Sequence, residues 1–324
     1  MESALVLRGV TKTFGRTTAL RDIELEVPKG ALYAAIGPNG AGKTTCIRII
    51  MSILFPDRGE VQVLGHRAVE VQQRVGYLPE ERGVYGRMRV GAFLTYMAGL
   101  KGIPPNQART RVFELLERVN LKGTERKRCN ELSKGMLQRV QLIAALAHKP
   151  DLLILDEPFT GLDPVNTRLL RDIVLEEHRR GVTIVLSTHA MAQAEEMCEH
   201  VVMIHRGTKV LDEPLSTLRR RIAPRTIFLE PLVPSSDATP LRALGEVAGV
   251  ERVTNGFEIS LAQGVDLAAA VRRIVAAVPP GRLEVGRIRL EDAFIQIVSQ
   301  GQVDDAALEL RAQLRGPQTA GEAV

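Results

Sequence analysis

The sequence predicts an α/β fold built on a parallel sheet, with a helical subdomain inserted in it and a small α+β unit after it. Three observations carry this expectation. Short β-branched runs alternate with helical patterns through the first 220 residues, as parallel strands joined by crossover helices do. A glycine-rich GxxxxGK[ST] segment stands between one such strand and the following helical run, its required context. From Thr226 the order becomes strand, helix, strand, strand, helix, strand, the ferredoxin-like split βαβ order.

The 324 residues, 45% of them apolar, suit about two domains with real cores and exclude disorder throughout. The expected division is residues 1–220 as the first domain, with its helical subdomain at about 86–150, then a C-terminal domain at 225–300 and a mobile tail at 301–324. The formal charge is +5. The first 220 residues hold 32 basic and 25 acidic side chains and the remainder 11 and 13, so the basic surplus belongs to the N-terminal part. Cys46, Cys129 and Cys198 are widely spaced with no CxxC or Cys/His pairing, which indicates neither a disulfide framework nor a zinc site and fits a reduced setting. Met1-Glu2-Ser3 does not read as the start of a signal peptide. No apolar run approaches the roughly 20 residues a membrane helix needs, so work at a membrane is expected from one side.

In chain order, the strands expected in the parallel sheet are Ala31 to Ile36, Leu152 to Leu155, Thr183 to Ser187 and Val201 to His205. Each is apolar on both faces, as strands between two helix layers are. Val90 to Lys149 reads almost wholly helical, with Phe113, Leu115, Leu116 and Val119 in one stretch bracketed by Pro104-Pro105 and Gly123. In the C-terminal domain the expected elements are strand Thr226 to Leu229, helix Pro240 to Val247, strands Glu251 to Thr254 and Phe257 to Leu261, helix Leu267 to Ala277, strand Leu283 to Leu290 and helix Glu291 to Ser299. Asn255-Gly256 is a hairpin dipeptide. A last helical pattern covers Asp304 to Leu314.

Gly37-Pro38-Asn39-Gly40-Ala41-Gly42-Lys43-Thr44-Thr45 is the phosphate-binding candidate. Its glycines let the backbone curl so that successive N–H groups face phosphate oxygens, and the helix N-terminus adds its dipole. Lys43 is expected on the β and γ phosphates and Thr44 on Mg²⁺. Leu152-Leu153-Ile154-Leu155 delivers Asp156 and Glu157 at the end of a buried strand. Asp156 can hold the Mg²⁺ water shell, and Glu157 can act as general base on the attacking water. An Asp-Glu pair at a strand end is ordinarily a solvated loop start; the upstream glycine loop reverses that expectation.

With Leu132-Ser133-Lys134-Gly135-Met136 between these elements, the chain resembles the ATP-binding cassette family, as a P-loop NTPase cassette with an inserted helical subdomain, over roughly residues 4 to 215. Thr160-Gly161-Leu162-Asp163 matches the family's D-loop and Ser187-Thr188-His189 its switch histidine. The resemblance implies that Phe14 stacks on adenine and that His189 contacts the γ-phosphate and water. It also implies that Ser133, Gly135 and Met136, with Asp163, meet ATP bound to a second subunit, so that two cassettes close head to tail. A hydrogen-bonded structural histidine at 189 and a helix N-cap at Asp163 are the plainer alternatives. Two positions depart from the family: Lys134 replaces glycine, where its ammonium would either favour ATP electrostatically or, as is expected, point to solvent, and Glu80, in Gly76-Tyr77-Leu78-Pro79-Glu80-Glu81, replaces a Mg²⁺-coordinating glutamine. A carboxylate can still hold a metal water but lacks the amide donor.

The implied function is the ATPase subunit of a transporter at the cytoplasmic face of the membrane, driving a separate transmembrane permease, with no nucleic-acid partner. The C-terminal unit, ending in Leu290-Glu291-Asp292-Ala293-Phe294, resembles the accessory domain of sodium-extrusion and multidrug-export cassettes, which favours export. Its role is expected to be support of dimer contacts or restraint of the nucleotide-binding domains. An ATPase of DNA repair or translation is the alternative. Against it stand a compact insert in place of a coiled coil and the single P-loop. A non-catalytic regulatory cassette is disfavoured because Lys43, Asp156, Glu157 and His189 are all present. Arg126-Lys127-Arg128 and Arg219-Arg220-Arg221 are expected on solvated faces, Cys46 in packing, and Tyr85 and Phe93 in the core, although the resemblance implies that the membrane partner docks near them.

Overall fold

The computed structural model describes residues 2–81, 83–221, 226–262, 264–286, 290–291 and 293–294. The expected tail, the patterns at Asp304 to Leu314 and most of Glu291 to Ser299, and the Arg219–Arg221 side chains lie outside what it describes. Contacts divide these residues into a unit running to Leu215 that includes Phe294, and a second unit, Ser216–Ala293.

The first unit opens with β1 (Ser3–Phe14), β2 (Thr17–Pro28) and β3 (Leu32–Ile36), then α1 (Lys43–Ile50), β4 (Arg58–Val63) and β5 (Val75–Leu78). The helices α2 (Val90–Leu100), α3 (Pro105–Arg118) and α4 (Lys134–Leu146) follow. It closes with β6 (Leu152–Asp156), α5 (Pro164–Arg179), β7 (Thr183–Thr188), α6 (Met191–Met197), β8 (His200–His205) and β9 (Thr208–Pro214); α7 (Leu215–Arg221) begins at Leu215 of this unit and otherwise belongs to the second.

Its central sheet has the order β5-β6-β7-β3-β8-β9, parallel except for β9. Every residue of β6 and β7 is buried, because both faces are covered and the strands are apolar throughout. The register pairs Ile36 with Thr188 and Asp156 with Ser187. The chain therefore leaves β3, β6 and β7 along one edge, where the glycine loop, Glu157 and His189 begin. A second, antiparallel sheet, β2-β1-β4, was not foreseen as such. Repeated register shifts in β1 break the period-2 alternation that marks a half-buried strand.

The inserted region is less helical than expected. Residues 119–133 hold only a short turn at Cys129–Glu131 between α3 and α4, and Gly123, at φ 88, suits a chain reversal. In α3 the buried side chains are Ala108, Val112, Leu115 and Leu116, whereas Phe113 is exposed. Phe93 is core, but Tyr85, expected there too, is 57% exposed and packs edge-on against Phe93 and Tyr96. Cys46, Cys129 and Cys198 are free and buried, and burial pushes the Cys46 thiol up to about 12. Arg126, Lys127 and Arg128 are exposed.

Arg118 at the end of α3 reaches α5, where it donates to Glu176 at 2.6 Å and to the buried Glu177 at 2.7 Å. Arg180 closes the cluster at 3.1 Å from Glu177. Another buried titratable group, His148, lies beyond α4 with Nε2 3.1 Å from the Val75 carbonyl. Burial, aided by the Lys101 charge, lowers its pKa to about 4 from the ordinary 6.5. The folded ring stays neutral while the unfolded one takes a proton. Stability should therefore fall as pH drops from about 6.5 to about 4, by about 3 kcal/mol in all. Denaturant titrations at pH 7 and 4.5 test this: His148→Gln should lose less stability between the two than the wild type, and equal losses would contradict the assignment.

The second unit has β10 (Thr226–Pro231), α8 (Thr239–Arg242), β11 (Val247–Val253), β12 (Gly256–Leu261), α9 (Leu267–Ala277) and β13 (Pro280–Val285). The wholly antiparallel order β11-β12-β10-β13 is the ferredoxin-like arrangement. Ile227, Leu229, Phe257, Ile259, Ala270 and Ile274 fill its core. Several boundaries differ from expectation. The helix foreseen to Val247 is the single turn α8, because Leu241 alone in that turn is buried, and Val247 instead starts β11. The last strand begins at Pro280 and ends at Val285. In the hairpin, Gly256 is the first residue of β12, where a Cβ would meet the Leu229 carbonyl oxygen at 2.1 Å.

Candidate active site

The glycine loop runs from β3 into α1, whose N-cap Gly42 has φ 109. A side chain at Gly42 would be strained there and would meet the Ala19 carbonyl oxygen at 2.7 Å. This tight passage lets α1 start at Lys43, leaving the N–H groups of its first turn free of helical partners. With Gly37, Pro38, Asn39, Gly40 and Ala41 before them, these N–H groups form a cradle of the kind that binds phosphate.

Lys43 is only 6% exposed. Its ammonium donates to the carbonyl oxygens of Gly37 at 2.8 Å and Pro38 at 3.2 Å, and stands 3.5 Å from Glu157 Oε1. Glu157, also buried, lies just past β6 at φ 49, a conformation seldom taken by non-glycine residues and often found at functional sites. Its N–H is held by the Ser187 carbonyl at 3.1 Å. Its Oε2 takes bonds from Thr160 Oγ1 at 3.3 Å and His189 Nδ1 at 2.9 Å. The half-exposed imidazole thus sits between the buried carboxylate and solvent.

Asp156 is fully buried. Its Oδ1 accepts from Ser187 Oγ at 2.5 Å and Thr44 Oγ1 at 3.3 Å, while Oδ2 has no hydrogen-bond partner. Burial raises the carboxyl's pKa, opposed by those two donors. An unpartnered oxygen at this depth, beside a threonine hydroxyl, fits a hard divalent cation and its water shell. Ser187 was read only as part of the histidine segment. Its role follows from the β6–β7 register, which sequence spacing does not carry. Glu80 follows β5 on the same edge but is exposed.

Lys43, Thr44, Asp156, Glu157, Ser187 and His189 therefore converge at the ends of three adjacent parallel strands. This group can bind a polyphosphate, hold a divalent cation and take a proton from water.

The family model described as ABC transporter matches residues 20–160. An uncharacterized ABC transporter ATP-binding protein of Bacillus subtilis (strain 168), YhaQ, is 40% identical over 226 residues, 69% of this chain and 76% of YhaQ. The chain belongs to the ATP-binding subunits of ABC transporters. The bacitracin transport ATP-binding protein BcrA of Enterococcus faecalis is 34% identical over 70% of this chain and 75% of its own length. A solved structure of an ATP-binding subunit of an ABC transporter, 30% identical, superposes with a TM-score of 0.63 over 68% of this chain and 93% of its own. The chain is thus an ATP-binding cassette of a family of ATPases coupled to transport.

The structure places the other expected site residues as follows. Phe14, at the end of β1, is 48% exposed, with the Lys12 ammonium over its ring at 5.5 Å from the centroid. Ser133 caps α4 by accepting from the Met136 N–H at 3.3 Å, which places Gly135 and Met136 in the first turn. Asp163 caps α5, accepting from Val165 N at 3.0 Å and Asn166 N at 2.9 Å; the Asn166 bonds hold its carboxyl below the usual range. The N-cap reading of Asp163 is therefore correct within one chain. Lys134 is exposed but does not simply project into solvent: its ammonium end lies over Gly161, where a Cβ would stand 2.2 Å from Nζ. Among the described residues no helix is long and apolar enough to cross a membrane.

Proposed function

We propose that this cassette closes head to tail on a second copy around two ATP molecules and drives a separate transmembrane permease, working at the cytoplasmic face of the membrane in an exporter. The observation that carries the hydrolytic part is Glu157, a buried carboxylate bracketed by Lys43 and His189 beside the unpartnered Asp156 Oδ2.

The loop N–H groups bind the phosphates, and Lys43 exchanges its two carbonyl partners for β- and γ-phosphate oxygens. Thr44, Asp156 and, from the exposed edge, Glu80 would hold Mg²⁺, which would neutralise phosphate charge. Glu157 takes the proton of the attacking water, and His189, held by Glu157 Oε2, orients that water against the γ-phosphate. Phe14 stacks on adenine. Ser133, Gly135, Met136 and Asp163 face the ATP of the opposite subunit, using the capped start of α4 as an anion contact.

A role in transport is supported by the likeness to the bacitracin transport protein BcrA, and export by the resemblance of the ferredoxin-like unit to the accessory domain of export cassettes. We assign residues 225–300 as an accessory domain that supports the dimer or restrains the nucleotide-binding domains. Isolation of the full chain from membranes of its own host tests the transport reading. A polytopic membrane protein should co-purify in stoichiometric amount and raise the ATPase rate when reconstituted. Recovery with ribosomes or DNA instead would favour the alternative of an ATPase of translation or DNA repair.

A further inference from the structure

The segment Leu132 to Met136 and the D-loop Thr160 to Asp163 are separate in sequence, yet they are packed together in this chain, in part through Lys134, which stands where the family has glycine. Lys134 is the first residue of α4, so its stem is fixed at the capped end of that helix. Its side chain runs along Gly161: a Cβ there would lie 2.2 Å from Nζ, 2.8 Å from Cε and 3.6 Å from Cδ. Gly161 sits at φ 72, which glycine tolerates without strain, and it leaves room for the lysine. Next to it, Gly135 approaches Leu162 and Asn166, with a Cβ placed on it 3.5 and 3.3 Å from their side chains. Asn166 in turn bonds Asp163. On the other side of Gly161, Thr160 donates to Glu157 Oε2 at 3.3 Å, the oxygen that also meets His189.

We propose that Lys134 is a positioning residue that couples the start of α4 to the Glu157 carboxylate through Gly161 and Thr160 of the D-loop. The ammonium stem pins Gly161, Gly161 fixes its neighbour Thr160, and Thr160 orients the carboxylate that accepts the proton from water. This coupling rests on the assignment of Glu157 as the general base.

Steady-state ATPase kinetics of the full chain test it with Lys134→Ala, Thr160→Val and the double variant. Each single change should lower kcat by about 10- to 100-fold, the upper figure being the scale of a group misplaced by about 1 Å, with KM for Mg-ATP within about twofold of wild type. The double variant should be no slower than the worse single one, because both act along one path. A raised KM with kcat intact, multiplicative losses in the double variant, or wild-type kcat in Lys134→Ala would each overturn the proposal. Glu157→Gln run in parallel separates the two readings. If it hydrolyses ATP at the wild-type rate, the base assignment has failed; if it is inactive while the Lys134 and Thr160 losses multiply, only the coupling has failed.

Discussion

Glu157→Gln should reduce ATP hydrolysis by about 10²- to 10⁴-fold, the contribution of a positioned general base, while nucleotide still binds. The argument is geometric. Glutamine keeps the shape of the side chain and an oxygen that Thr160 and His189 can reach, so the bonds at 3.3 and 2.9 Å do not demand a rebuilt site. What disappears is the carboxylate's capacity to take a proton and its attraction for the Lys43 ammonium 3.5 Å away. Binding relies on the glycine loop and Lys43, which the change leaves in place. Single-turnover hydrolysis together with equilibrium binding of a fluorescent ATP analogue measures both sides. Loss of binding in step with hydrolysis would show that Glu157 holds the loop together instead of acting on water.

Asp156→Asn should act in opposite directions on stability and activity. Two buried carboxylates, Asp156 and Glu157, share one nearby ammonium, and Asp156 keeps an unpartnered oxygen. Burial already drives its carboxyl toward the neutral form. Removing that charge should stabilise the protein without added nucleotide by about 1 kcal/mol, as replacement of costly buried charges can. The amide still accepts from Ser187 but offers a divalent cation no charge. Stimulation of hydrolysis by Mg²⁺ should therefore vanish, as should the rise in Tm that Mg-ATP gives the wild type. Denaturant unfolding and Tm with and without Mg-ATP decide the matter; an undiminished Mg²⁺ effect in the variant would remove Asp156 from the metal site.

The parts legible in the sequence are those in which chemistry and fold share a short stretch. Gly37 to Thr45 and Leu152 to Glu157 each contain strand, turn and functional group in contiguous order, so spacing alone places them. Strands buried on both faces announce themselves as apolar runs, as β6 and β7 do. What escaped were features made by distant partners. β1 pairs Leu5 with Val27 on one side and Val63 on the other through several register shifts, so neither its alternation nor its neighbours show locally. The Ser187 bond to Asp156 depends on strand register, and the position of Lys134 over Gly161 on the packing of α4 against the D-loop. The one-turn α8 was overestimated because helical spacing was read where only Leu241 is buried.

The ion-pair cluster at the end of α5 gives that helix a mechanical meaning. Sixteen residues of α5 span about 24 Å at 1.5 Å per residue. One end is clasped by Arg118 through Glu176 and Glu177, and the other begins at Asp163, beside the start of α4. A stiff rod anchored in this way cannot swing at one end without shifting the other. The clasp therefore ties the end of α3 to the helix whose other end is capped by the last residue of the D-loop.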